Sequence, residues 1–525
     1  MQFLINATFL TQDDQHPIVG ALAIDQGIII AVGEKEEIMS IPTREKNIVD
    51  LQGLFVLPGF TDSHIHLGYY SRSLQKINLD GLSRQECINQ VADAAKFTPP
   101  DTWILGHGWD HNHWPEGYGN AAMLDEVAPD HPVFLTVKSL HAAWANNKAL
   151  AMAGINVNTK NPPGGSILRN QDGTPSGILL ESAYPLVEKI IPEPSPIEMA
   201  EMLDATQQQL WRLGLTSVHD FDQQLILQGL QILHQQNKLK LRIIKNLHAH
   251  QINAIRELGL VPGFGDDMLR LGSLKYFADG AIGPQTAAMF ETFTNSDSLG
   301  EMLFTPQELD EIYQTATKLS FSVAMHAIGD RANHLVLNAI EKIRRKEKEM
   351  KMVALPHRIE HAQILKNTDI KRFKELQVIA SMQPYHLSMD IHTTDTALAG
   401  RGIQSFLFKS MLDLQVPLIF GSDAPVVDPN PFLGIFAAVA RKNRTEDPVW
   451  FPQESLTVQQ AIKSYTIHPP RASAMQDQMG KLARGYKADM IILDKNPVKI
   501  HINEMKKCLP VATIVGGDWV YSKIT

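Results

Sequence analysis

Through most of the chain, short apolar runs of strand length alternate with longer stretches in which apolar residues return every three or four positions. The runs are LTSVHDF (215–221), KLRIIKNLHA (240–249), LGSLKYFADG (271–280), FSVAMHAIGD (321–330), HRIEHAQ (357–363), VIASMQP (378–384) and PLIFGSDA (417–424). Between them lie helical patterns such as PIEMAEMLDATQQQLWRLG (196–214) and TPQELDEIYQTATKLS (305–320). With FVLPGFTDSHIHL (55–67) as the first strand the count reaches eight. Repeated strand–helix units predict a parallel sheet, and eight of them close into a TIM-like (β/α)₈ barrel.

The two ends of the chain follow another rhythm. FLINATFL, GALAIDQGIIIAVG and NIVDLQGLFVLPG near the start, and ADMIILD and PVATIVGGDWVY near the end, are short strands punctuated by Gly and Asp. They predict one small β-sandwich domain made from residues 1–58 and 480–525, with the barrel occupying 59–479. A segment at about 70–210, after the first barrel strand, also breaks the rhythm. It holds four of the seven tryptophans and the Gly/Pro-rich NPPGGSILRNQDGTPSG (161–177). An insertion of this size on the catalytic rim is expected to act as a lid or substrate wall.

Composition narrows the partners. A chain of 525 residues, 44% apolar and 20% charged, is ordinary globular material. A formal charge of −9 without a basic stripe speaks against nucleic acid, and no apolar run of about 18 residues suggests a membrane span. Cys87 and Cys508 are too few and too far apart for a thiolate metal site or a disulfide framework. Met1–Ile5 lacks the basic start of a signal peptide, so the expected location is cytoplasmic. Phosphate-binding glycine loops and a GxSxG nucleophile turn are missing.

The chemistry gathers at strand ends. In His64-Ile65-His66 the two histidines lie two apart on a strand and point the same way, towards the C-terminal mouth where barrel active sites sit. Neutral imidazole is a good ligand for zinc and related metals. His326, His361 and Asp423 end three other strands, and Lys275 lies inside the apolar run LGSLKYFADG. A buried ammonium is costly without a partner; carbamylation by CO₂ would turn it into an anionic ligand. Four histidines, a lysine and an aspartate at one end of one barrel point to a divalent metal, zinc by preference, as one or two ions.

LPGFTDSHIHL (57–67), LKYFADGAIG (274–283), HAIGDRA (326–332), RIEHAQ (358–363) and FGSDAPV (421–427) resemble motifs of the amidohydrolase superfamily. With GWDHNHWPEG (108–117), HAAWANNKAL (141–150), GTPSGILLE (173–181) and GKLARGYKADMIILDKNP (480–497), the resemblance narrows to the YtcJ-like group that includes N-substituted formamide deformylase. It implies His64 and His66 as ligands of a first metal, and His326 and His361 as ligands of a second metal or of substrate and water. It implies Lys275 as a carbamylated bridge and Asp423 as ligand and general base. The implied reaction is hydrolysis of an amide or N-formyl C–N bond by metal-activated water.

Beyond these, His141, Trp109, Asp279 and His219 are the candidates for contact with a small-molecule substrate, with His219 equally placed to orient a ligand. His107, His111 and His113 flank Trp109 and Trp114 and read as a lid wall or a second metal cluster. His111 and His113 depart from the family's usual wording, as does Ser139-Leu140 before His141. Other leaving groups on the same site would give a deaminase, cyclic imidase or lactonase, and loss of chemistry would leave a ligand-binding regulator. Oligomeric state is open, a homo-oligomer included.

Overall fold

The computed structural model describes residues 1–138, 141–294, 296–398 and 400–524, so Ser139-Leu140 lies outside the described residues. The chain divides into two compact units, residues 1–70 with 199–525, and residues 71–198.

The larger unit contains an eight-stranded sheet. Its strands are β1 (Phe60–Ile65), β2 (Leu215–Asp220), β3 (Arg242–His248), β4 (Leu269–Phe277), β5 (Val323–Ala327), β6 (Arg358–His361), β7 (Ile379–Met382) and β8 (Leu418–Phe420). Each pairs in parallel with the next. The first and last strands meet through a parallel bridge between Ile65 and Ala424. All eight runs marked by the apolar pattern are therefore barrel strands, in the expected order.

Helices form where capping and burial agree. Helix Pro306–Lys318 opens with Thr305 and Glu308 in a reciprocal capping box and Pro306 in the first turn. Its buried Leu309, Tyr313 and Ala316 fall at i, i+4 and i+7 and join the apolar layer around the sheet. Each large side chain buried there contributes roughly 1.5–3 kcal/mol. Helix Pro196–Arg212 overlaps the expected insertion in sequence, yet its Met199, Leu203 and Leu210 pack in the barrel's own core.

Both chain ends contribute to the same unit. A four-stranded sheet orders Ile28–Gly33, Ala21–Asp25, Gln2–Ile5 and Asn47–Asp50. A six-stranded sheet joins Asp518–Ser522, Ala512–Val515 and Met490–Leu493 from the C-terminal end to Phe55–Pro58, Thr8–Leu10 and Ile18–Val19. Leu4, Ile24 and Ile29 of the first share an apolar cluster with Phe9, Val56, Met490 and Ile514 of the second. Only Gly59 separates Phe55–Pro58 from β1, and a Cβ there would stand 2.2 Å from Thr216 Oγ1, so the step into the barrel requires glycine.

Residues 71–198 fold around a six-stranded sheet ordered Gly165–Arg169, Pro175–Glu181, Ala142–Ala145, Val133–Val137, Ile104–Trp109 and Ile77–Asn78. A sheet of this kind explains the broken strand–helix rhythm. Trp109, expected to contact substrate, is instead fully buried in this unit's core. Its Nε1 donates to the Leu135 carbonyl at 2.8 Å, and it stacks on Trp114 with ring centroids 5.4 Å apart. The bulk that would suit a substrate wall has been used to build a core. Among the described residues, no helix is long and apolar enough to cross a membrane.

Candidate metal centre

Strand alternation places His64 and His66 side by side at the end of β1, and Asp423, just after β8, faces both. Its Oδ1 stands 3.4 Å from Nε2 of each histidine. His361 completes the approach from β6, its ring 5.2 Å from that of His64. Ligand atoms of His64, His361 and Asp423 lie within 4.8 Å of one another, close enough to share one ion. His361 and Asp423 have positive φ, 69° and 61°. Such a backbone costs a non-glycine residue on the order of 1–3 kcal/mol and persists only where the surroundings hold it in place.

Partners behind the imidazoles fix their tautomers. His64 Nδ1 donates to Glu360 Oε2 at 2.6 Å, and His66 Nδ1 to Asp222 Oδ1 at 2.9 Å, leaving each Nε2 directed at the centre. Burial alone would raise the Glu360 pKa, but Arg358 and His64 hold it well below the usual carboxylate range. Glu360 therefore accepts as an anion. Asp222 is held in turn by the backbone N–H groups of Gly68 and Tyr69, at 2.6 and 3.0 Å. His326 Nε2 donates to the Gly280 carbonyl at 3.0 Å, so its Nδ1 keeps the lone pair.

The electrostatics suit a cation. Burial and the nearby Lys275 lower His64 and His326 to about 4, and burial with His326 holds His361 well below the ordinary value. Burial opposes ionisation of Asp423, but His64 and His66 keep it well below the usual range. His66 is the exception: burial disfavours its charge, yet Asp222 and Asp423 outweigh burial and raise it to about 9. Lys275 is buried, with Nζ 4.6 Å from the Phe221 ring centroid and 4.8 Å from that of Phe277. Burial lowers it to about 8. Neutral imidazoles at His64, His326 and His361, an ionised carboxylate and a lysine poised to lose its proton form a donor set that fits a divalent ion. They open into a cavity of about 470 Å³.

A family model described as the amidohydrolase family matches residues 47–521. The chain belongs to the amidohydrolase family. It is 31% identical to protein LONG AFTER FAR-RED 3 of Arabidopsis thaliana, over 98% of this chain and 91% of that one. It is also 31% identical to the putative amidohydrolase YtcJ of Bacillus subtilis, over 96% of both. N-substituted formamide deformylase of Arthrobacter pascens is 27% identical over 99% of this chain and 98% of its own length. Among solved structures, an uncharacterised metal-dependent hydrolase from Pyrococcus horikoshii superposes with a TM-score of 0.80 at 27% identity, covering 96% of this chain and 99% of that one.

Not every expected residue of this chain lines the cavity. Asp279, expected against substrate, is buried and accepts from the backbone N–H groups of Ile328, Gly329 and Ala288 at 3.0, 2.8 and 2.9 Å. It pins the segment after β5, and burial raises its pKa to about 7. His219 is likewise buried, its Nδ1 accepting from Arg358 at 2.9 Å, so it braces the guanidinium that holds Glu360. His141, in residues 71–198, is exposed and bonds Glu181 at 3.0 Å. In the same unit His107 meets Thr136, His113 meets Asp110, and His111 stacks on Tyr118. Among the described residues these three form no group at metal-ligand distance.

The sequence reading missed Glu360, Asp222 and Arg358, the partners that orient the ligands, and His386, whose Nε2 is 3.8 Å from Asp423 Oδ2. Glu360 sits in RIEHAQ directly before a candidate ligand, which was the available signal.

Proposed function

We propose that this chain is a metal-dependent hydrolase cleaving a non-peptide C–N bond, an amide or N-formyl bond, in a small molecule. The observation that carries the reading is Asp423, an ionised, buried carboxylate 3.4 Å from two histidines whose tautomers are fixed by carboxylates behind them. The similarity to N-substituted formamide deformylase supports the choice of bond.

In this reading His64, His66 and Asp423 would hold one ion, and His326 and His361 would hold a second. Zinc suits the nitrogen-rich set. Lys275 would add to CO₂ through its neutral Nζ with loss of one proton, and the resulting carbamate would supply an anionic oxygen ligand. The bound cation supplies Lewis acidity, lowering the pKa of water and polarising a carbonyl. Asp423 orients the attacking water, takes its proton at the carboxylate and hands it to the leaving nitrogen. Phe221, fully buried against Lys275, keeps bulk water from the inner side of the centre and strengthens these interactions. Retention of every proposed ligand and of the base favours catalysis over a ligand-binding regulator, and Lys275 favours amide hydrolysis over deamination. Both cysteines are free, as suits a reducing cytoplasm.

The test is turnover of a panel of N-formyl and N-acyl amines by protein reconstituted with zinc and bicarbonate, with metal counted in parallel. Hydrolysis that a chelator abolishes and zinc restores supports the reading. A metal-loaded protein inactive on every amide, imide and lactone tried would overturn it.

A further inference from the structure

The cavity over the centre has a second polar feature. Helix Pro384–Leu398 contributes His386, Asp390 and Thr393 to its lining. Their i, i+4, i+7 spacing is one stripe of the helix, while Leu387, Thr394 and Leu398 of the same helix are buried. His386 lies nearest the reacting end, 3.8 Å from Asp423, and Asp390 is one turn, about 6 Å, further along the helix.

Asp390 and Asp423 are the carboxylates lining the cavity among the described residues. Asp390 is half-buried and accepts from Gln363 Nε2 at 3.4 Å, with no lysine or arginine in ion-pair contact among the described residues. A carboxylate that has lost water and gained one long amide contact is under-satisfied, and a cation restores most of what it lost. Burial raises its pKa, and His386 of the same helix and the Gln363 contact offset only part of that rise. Lys275 is the lining's sole lysine or arginine among the described residues, and in the reading above it serves the centre, so no second lysine or arginine waits for a substrate carboxylate. Much of the remaining wall is apolar, including Phe277, Ile282 and Ile328.

We infer that Asp390 is a specificity residue that receives a protonated amine of the substrate, one helical turn beyond the scissile bond. The preferred substrates are then N-formyl or N-acyl derivatives of alkyl diamines, and derivatives of amino acids with a free carboxylate are disfavoured. This rests on the hydrolase reading above, which leaves the substrate's other end undefined.

The experiment pairs N-formyl-1,5-diaminopentane with N-formylhexylamine, in which a methyl group replaces the ammonium. On zinc-loaded full-length protein, kcat/KM is measured for both amides, and Kd by calorimetry for the product amines 1,5-diaminopentane and hexylamine. A charge-assisted contact predicts that wild type favours the ammonium member of each pair by roughly 10-fold or more. Asp390→Asn brings both ratios close to one, and Asp390→Glu restores part of the preference. Equal ratios in wild type and Asp390→Asn, or a wild-type preference for the methyl compound, would overturn the inference. If neither amide is cleaved yet the binding ratio collapses in Asp390→Asn, the ammonium subsite stands and the hydrolase reading fails. If both amides are cleaved with ratios indifferent to Asp390, the hydrolase stands and the subsite fails.

Discussion

Asp423 is bound to His64 twice over: its backbone N–H donates to the His64 carbonyl at 2.6 Å, and its carboxylate faces the Nε2 of the same histidine at 3.4 Å. One contact joins the end of the last barrel strand to the first, and the other aligns the proposed base with a proposed ligand. The geometry of the candidate centre and the closure of the sheet are therefore set by the same pair.

That pairing separates binding from proton transfer. Asp423→Asn keeps the backbone bond and the side-chain shape but removes the proton acceptor. We expect metal content to be retained while kcat falls by roughly 10²–10⁴, the usual worth of a positioned acid–base group. Metal analysis beside steady-state kinetics decides; a variant with near wild-type kcat excludes Asp423 as the base.

Lys275→Ala tests the bridge. A carbamate holding two ions predicts about two metals per chain in wild type and about one in the variant. An unchanged count would show that the lysine holds no ion and that its burial has another cause.

Glu360→Gln addresses tautomer control. Glutamine can still contact His64, but it no longer offers an anion to Nδ1–H or to Arg358. Metal affinity should drop by about 10–100-fold, read by competition with a chromogenic chelator. The buried guanidinium left without its charge partner should also lower Tm.

Proton release follows from His66. In the metal-free protein its pKa is raised to about 9, so it is protonated throughout the neutral range, whereas a ligand must be neutral. Metal uptake must displace that proton, and affinity should rise by up to tenfold per pH unit until about pH 9, then level off. Calorimetry at pH 8 in buffers of differing ionisation enthalpy should show this proton in wild type. His66→Gln should release one fewer; an identical count in both would refute the assignment.

The eight strands, and the strand-end side chains that gather at one cavity, were legible because burial on a sheet enforces a period of two and because histidines cluster at the strand ends of this sequence. His361 shows where that logic stops. Arg358 and Glu360 lie on the same face of β6, where Arg358 meets His219, Ser63 and Ser381 and Glu360 meets His64. Strict alternation sends residue 361 to the other face, and the positive φ at His361 brings its ring back beside His64. A backbone reversal of this kind leaves no trace in hydropathy. Asp222 and Glu360 were hidden for a related reason: a carboxylate's role depends on what crosses the barrel to meet it, and β6 is nearly 300 residues from His64. Trp109 failed differently, since aromatic bulk serves a core as readily as a ligand wall.

Asp62 gives the closure a further meaning. Its carboxylate accepts from the backbone N–H groups of His64 and Ser422, and from the Ser422 hydroxyl at 2.6 Å, across 360 residues of sequence. The seam where the barrel's two ends meet is thus a short clasp of polar stitches immediately beside the ligands. A guest held by His64 and Asp423 would act as the pin of that clasp, so loading the centre would lock a loop of most of the chain and emptying it would free the likeliest place for the ring to open.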